Sequence, residues 1–204
     1  MSSAPHRPLR VEPVTLEGDH VRLEPLSLAH LDALCEVGLD PELWRWTTAQ
    51  VRDADDLRRY LETALREQAE GRALPFATVA KAAGRAVGST RFGAIDARNR
   101  RVEIGWTWIG RPWQRTAVNT EAKRLMLAHA FETWECIRVE LKTDVLNRRS
   151  RDAMLRIGAK EEGILRHHQI TEAGRLRDTI YYSILAAEWP EVKARLEGML
   201  RPRV

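Results

Sequence analysis

The apolar positions of this chain fall first at helical spacing, then at strand spacing, and then alternate between the two. Two short alternating runs, 14–16 and 21–23, flank Gly18-Asp19 and predict a pair of strands. Behind Ser27, the residues Leu28, Leu31, Leu34 and Cys35 recur at helical intervals. Asp40-Pro41 opens a short piece that holds Trp44 and Trp46. Asp53 starts a longer helix whose face is Leu57, Tyr60, Leu61, Ala64 and Leu65, with Gly71 past its end. The period then changes: 76–81, 86–92 and 102–109 read as three antiparallel strands joined by hairpin-length spacers. A helix over about 118–134, a strand over 137–142 and a short helix over 149–157 come next, with Gly158 at a helix stop. Strands over 162–169 and 177–186 flank the turn at Glu172-Ala173-Gly174, and a helix over 191–200 closes the pattern. This order describes a mixed α/β sheet, antiparallel at first, with one strand–helix–strand crossover. Residues 1–13 carry three prolines and little periodicity, so a tail is expected there and one domain over 14–204.

Composition narrows the class. At 204 residues, 44% apolar and 30% charged, the chain can bury a full core without disulfide or metal staples. Its two cysteines, Cys35 and Cys136, form no CxxC or Cys/His cluster, which disfavours a zinc site and fits a reducing cytoplasm. No run approaches the length of a membrane span, and the first residues lack a signal-peptide core, so no membrane partner is expected. Net charge is +4, from 33 basic and 29 acidic side chains that are interspersed rather than blocked. That balance disfavours nucleic acid and suits a mildly basic enzyme with a polyphosphate ligand.

Chemistry concentrates after the third of those strands. Val102-Glu103-Ile104-Gly105-Trp106-Thr107-Trp108-Ile109-Gly110 runs through Arg111-Pro112-Trp113-Gln114-Arg115-Thr116 into Ala117-Val118-Asn119-Thr120-Glu121-Ala122. A strand feeding a helix through a short loop offers backbone N–H groups and a positive helix end to an anion, although an ordinary strand-to-helix connection has the same outline.

At these residues the sequence resembles the GNAT acetyltransferases, in the branch of the ribosomal-protein N-terminal acetyltransferases. The pyrophosphate loop of that superfamily, Gln/Arg-x-x-Gly-x-Gly/Ala, lines up with Gln114, Ala117 and Asn119. Asn147-Arg148-Arg149-Ser150, followed by Ile157-Gly158-Ala159-Lys160-Glu161-Glu162-Gly163, is similar to the family's Asn-x-x-Ser and Leu-Gly-Phe-x-x-Glu-Gly pattern. The stretch Gly174-Arg175-Leu176-Arg177-Asp178-Thr179-Ile180-Tyr181-Tyr182 is similar to its closing strand pair. The resemblance implies a single-domain, mostly antiparallel sheet of about six or seven strands. Helices flank it, and a V-shaped split separates the two central parallel strands. It also implies acetyl-CoA as co-substrate, no metal, and transfer of acetyl directly to a primary amine. A protein N-terminal α-amine leads as acceptor, and small amines such as amino acids, polyamines or aminoglycosides follow. A non-catalytic acyl-CoA-binding module is the rival, and a homodimer is compatible.

Site residues follow from the same resemblance. Gln114, Arg115, Thr116, Ala117, Val118, Asn119 and Thr120 would form the phosphate cradle. Backbone around Trp106, Thr107, Trp108 and Ile109 would polarise the thioester carbonyl. Asn147 would hold the pantetheine amides, Ser150 would serve the departing sulfur, and Glu103 would act as base through water. Trp44, Trp46, Arg91 and His167 are acceptor-site candidates; His167 and His168 are adjacent, so only one can face a cleft. Two departures stand out. No glycine lies between Gly110 and Gly158, leaving Asn119 as the residue that tolerates left-handed φ and can cap the helix. Met154 stands where relatives carry a proton-donating Tyr. An α-amine, with a pKa of roughly 7.7–8.0 against roughly 10.4 for Lys, is about 3.4 kcal/mol easier to neutralise at fixed pH, which favours such an acceptor.

Overall fold

A computed structural model describes Leu9 and residues 11–201. Eight strands form one sheet in the order β1-β2-β3-β4-β5-β6-β8-β7. They are β1 (Leu16–Glu17), β2 (Val21–Pro25), β3 (Leu74–Ala80), β4 (Arg85–Asp96), β5 (Arg101–Ile109), β6 (Arg138–Asp144), β7 (Lys160–Ile170) and β8 (Leu176–Leu185). The two-residue β1 and its partner β2 raise the strand number above the six or seven expected. Six helices accompany them: α1 (Leu31–Gly38), α2 (Pro41–Trp44), α3 (Ala54–Ala69), α4 (Ala117–Ala128), α5 (Arg148–Arg156) and α6 (Trp189–Leu200). Of the expected N-terminal tail, Leu9 and Val11 pack against the core, as does Val14 beyond it; most of 1–10 lies outside the described residues.

Local chemistry explains the boundaries. Asp53 caps α3 by accepting from Asp56 N, and Asp40 caps α2 by accepting from Glu42 N with Pro41 in the first turn. The expected helix over 118–134 proves to be α4 followed by a wider π turn over His129–Thr133. The two faces of the sheet build two cores. Val139, Leu141, Ile180, Tyr182 and Ile184 meet Met126 and Leu127 of α4 and Val192 and Leu196 of α6 in one. Ala77, Val79 and Trp108 meet Leu34, Leu57, Leu61 and Trp44 in the other.

The pairing that matters for function is the parallel one. β5 and β6 register only at Arg101↔Arg138, Val102↔Val139 and Glu103↔Glu140. Beyond Glu103 the strands have no registered partners in each other, which opens a fork in the middle of the sheet. All other neighbours are antiparallel. A bulge in β5 sits at the fork: Gly105 pairs Arg91 and Trp108 pairs Ser89, so Trp106 and Thr107 together oppose the single residue Thr90. Trp106 takes φ +51°, uncommon for so bulky a residue.

Candidate functional site

The loop after β5 builds the cradle. Arg111–Trp113 form one 3-10 turn, Gln114 is extended, and Arg115 takes φ +62°. Thr116 is the helix cap: its Oγ1 accepts from Val118 N at 3.3 Å and donates to Trp113 O at 2.7 Å. Ala117 and Asn119 are already helical. The left-handed residue is therefore Arg115 and the cap is Thr116, not Asn119, a correction to the expectation drawn from the missing glycines. A positive φ needs one tolerant position ahead of the helix, and the chain supplies it with a straight-chain residue whose side chain is exposed. The first-turn amides of the twelve-residue α4 lack intrahelical acceptors, and among the described residues only Val118 N is capped by a side chain. The buried Asn119 Oδ1 beside them has no hydrogen-bond partner among the described residues. Those amides suit the diphosphate of a CoA nucleotide, and the Asn119 side-chain amide does so when turned over to present its NH2 group.

Gln114 and Arg149 tie the two arms of the fork together. Gln114 Nε2 donates to Ile109 O at 2.6 Å, and Arg149 Nη2 donates to Gln114 Oε1. Across the fork, Asn147 caps α5 by accepting from Ser150 N at 3.1 Å. Arg151 is held by Tyr182 Oη and Val145 O, whereas Arg148 is exposed. Thr120 is buried and accepts from Arg156 Nη2 at 3.1 Å, so its hydroxyl ties α4 to α5.

Below the bulge the fork is lined with charge. Glu103, 3% exposed, receives Lys142 Nζ at 2.9 Å. Burial raises the Glu103 carboxyl above the usual range, with Lys142 opposing. Burial weighs against the Lys142 ammonium, but the charge and hydrogen bond of Glu103 outweigh it and hold its pKa above the ordinary value. Gly105 makes this geometry possible, because a Cβ there would lie 2.6 Å from Glu103 Oε1. On the other side, Lys123 of α4 is 8% exposed and donates to Thr107 Oγ1 at 2.8 Å, and Thr107 Oγ1 lies 2.7 Å from Thr90 Oγ1. Burial brings the Lys123 pKa down from 10.5 to about 7, against a smaller raising effect of Glu103.

The aromatic candidates separate by depth. Trp44 is buried, donates from Nε1 to Gly38 O, and packs against Tyr60 and Trp108; it is a core side chain, as is Trp108. Trp106 is 37% exposed, with the Arg91 guanidinium 4.9 Å and Lys142 Nζ 5.7 Å from its ring centroid. Arg91 is buried and paired with Glu67 at 2.7 Å, a position deeper than the surface site that its residue type suggests. Trp46 lies beneath Arg45 and Arg175. His167 has φ +49° and is exposed, its N–H held by Asp178 Oδ1. It is His168 that meets the Tyr181 ring edge-on, and burial, Lys142 and Arg177 lower its pKa.

Sequence reasoning missed four side chains of this cleft: Lys123, Lys142, Asp144 and Arg177. One signal was present. Arg138, Glu140, Lys142 and Asp144 alternate along β6, and a strand in the middle of a sheet with a polar residue at every second position has one face open to something other than core.

Comparison with known proteins agrees with this geometry. Residues 20–160 match the family described as the acetyltransferase (GNAT) domain. YdaF of Bacillus subtilis strain 168, provisionally named a ribosomal N-acetyltransferase, is 38% identical over 95 residues, 47% of this chain and 51% of that protein. A GCN5-related N-acetyltransferase from Brucella melitensis is 31% identical with a TM-score of 0.87, covering 94% of this chain and 87% of its own. RimJ of Mycobacterium smegmatis, solved in complex with CoA-disulfide, shares the fold at 23% identity and a TM-score of 0.77, over 92% and 95% of the two chains.

Proposed function

The chain belongs to the GNAT acetyltransferase family, an acetyl-CoA-dependent class of acyltransferase, and from that premise we propose that it acetylates a protein N-terminal α-amine. The carrying observation is the fork itself: β5 and β6 part after Glu103 and Glu140, with the anion cradle at one end and a charged, aromatic cleft on one face. The likeness to YdaF supports a ribosomal-protein acceptor, and the lower pKa of an α-amine relative to Lys supports the same class.

Bound acetyl-CoA supplies an acetyl thioester. In this reading the amides of 117–120 and the exposed Arg115 hold the diphosphate, and Asn147, whose Oδ1 is engaged by Ser150 N, offers its Nδ2 to the pantetheine. Main-chain N–H groups of Trp106–Trp108, displaced by the bulge and unpaired with β6, face the carbonyl oxygen that gains charge. The amine nitrogen forms a bond to the acetyl carbon, the carbon–sulfur bond breaks, and one proton leaves nitrogen while one reaches sulfur. Glu103 takes the amine proton through water, and Lys142 opposes the burial that favours its protonated form. The Ser150 hydroxyl hydrogen-bonds the departing sulfur, a task for which Met154 has no proton.

The test is release of free thiol from acetyl-CoA with N-terminal peptides and with small amines, alongside Glu103→Gln and Ser150→Ala. Turnover of peptides above amino acids, polyamines and aminoglycosides is expected. Turnover of small amines alone reassigns the acceptor, and full rate in both variants removes the proton-transfer roles.

A further inference from the structure

Arg177 is 7% exposed, yet among the described residues its guanidinium makes no hydrogen bond and no ion pair within 4 Å. Its position on β8 puts it on the face of the cleft. Lys142 pairs Tyr181 and Asp144 pairs Thr179 across β6 and β8, so Tyr181, Thr179 and Arg177 follow one another on the side that carries Lys142 and Asp144. The charged groups around it are already matched. Lys142 holds Glu103 and Arg175 holds Asp144, which leaves Arg177 without a carboxylate partner among the described residues. Burial lowers its pKa, Asp144 and Glu103 act against that, and Arg175 adds to it. Two more buried polar atoms beside it lack partners: Thr179 Oγ1, two residues on, and Gln169 Oε1, on the residue paired with Arg177 across β7 and β8.

An unpaired buried guanidinium is costly unless something anionic completes it. Arg177 Nε–H and the Thr179 hydroxyl can both donate, and the Gln169 amide presents its NH2 group when turned over. Three donors at one end of a cleft fit a carboxylate. We propose that Arg177 recognises a carboxylate carried by the acceptor amine, supported by Thr179 and Gln169, so that the preferred acceptors are acidic. The inference rests on the cleft being the acceptor site and narrows the substrate class within that reading. Arg177 stands four residues along β8 from Tyr181, roughly 13 Å of strand, a span that the first few residues of an extended peptide cover. Two sources offer this chemistry: an acidic side chain near a peptide N-terminus, and the α-carboxylate of a free amino acid.

The experiment measures kcat/KM for N-terminal peptides carrying Asp or Glu at the first, second or third position against the same peptides with Asn or Gln. Free amino acids are compared with their amides in parallel. The acidic members are expected to exceed their neutral isosteres by about tenfold or more, chiefly through KM. Arg177→Leu should bring that ratio to about one, and Arg177→Lys should retain part of it. A peptide-only preference assigns the side-chain source, and an amino-acid-only preference assigns the α-carboxylate and overturns the protein-acceptor reading while keeping this one. A ratio of one in the wild type, or an unchanged ratio in Arg177→Leu, overturns the proposal. If Arg177→Leu fails to fold, the ratio in Arg177→Lys decides. If no amine is turned over, titration with N-acetylated acidic peptides and their neutral isosteres still reads the preference, and equal binding overturns it.

Discussion

Lys123 reaches from α4 to the bulge of β5 and donates its buried ammonium to a single hydroxyl, Thr107 Oγ1, at 2.8 Å. One neutral acceptor does not replace the water that an ammonium loses on burial, which is why its pKa falls to about 7.

The stability consequence has a definite sign. Between about pH 7 and pH 10 the unfolded chain holds the Lys123 proton and the folded chain does not, so this residue makes stability rise with pH across that window. Below it, both states are protonated and the full burial penalty stands, on the order of 4–5 kcal/mol at most. Lys123→Met keeps the stem and deletes the charge. Urea unfolding at pH 7, 8 and 9 should find the variant more stable at pH 7, with its advantage shrinking as pH rises. A constant difference across the series would show that the ammonium is satisfied by something else.

Glu103→Gln should lower kcat by about a hundredfold, the ordinary scale of a general base. In the wild type, kcat/KM should fall as pH drops through a value above the usual carboxylate range, because burial raises that pKa and only the ionised form accepts a proton. In Glu103→Gln that component of the acid limb should vanish, leaving only the ionisation of the amine itself at roughly 7.7–8.0. Gly105→Ala offers a steric check, since its Cβ would stand 2.6 Å from Glu103 Oε1 and must displace the carboxylate. Pre-steady-state acetyl transfer over pH 4–9 reads both effects.

Much of this fold is legible in the sequence, and the reason is periodicity. The strands 86–92 and 102–109 and the helix starting at Asp53 sit where the pattern puts them, the helix because its burial is one-sided and the strands because short apolar runs, buried on both faces over 86–93, are bounded by turn-length spacers. Site depth is less legible. Lys123 reads as an ordinary polar position beside Ala122 and Met126, and only the divergence of β5 and β6, a tertiary event, decides that its ammonium ends inside. Trp44 and Trp46 look alike in sequence, yet one is a core ring and the other lies against Arg45 and Arg175. The missing glycines mark the right loop, but side-chain type at Asn119 does not fix the backbone: the turn places its left-handed φ at Arg115.

Arg115→Gly should stabilise the protein. Left-handed φ costs an L-residue roughly 1–2 kcal/mol, and glycine relieves that while losing about 0.5–1 kcal/mol more chain entropy on folding. The net gain is about 0.5–1 kcal/mol, visible as a higher midpoint in denaturant. Arg115→Val should shift the midpoint the other way, since a β-branched residue fits φ +62° worst. If both substitutions move it in the same direction, the turn has a different backbone.

Glu121 supplies the last test, on the link between the cradle helix and the edge of the sheet. Its buried carboxylate accepts from Asp19 N at 2.9 Å, His20 N at 2.6 Å and Val21 N at 2.7 Å, which ties α4 to the β1–β2 turn. Gly18 is required beneath it, because a Cβ there would run into the same carboxylate. Three charge-assisted bonds are lost together in Glu121→Ala, and the buried amide of Val21 left unsatisfied costs more than its bond contributes. A loss of about 3 kcal/mol or more is expected, with Gly18→Ala destabilising through the same contact. The two substitutions act on one carboxylate, so the double variant should fall well short of their sum. Additivity in a double-mutant cycle would mean that the turn is held from elsewhere and that α4 owes its position to the core alone.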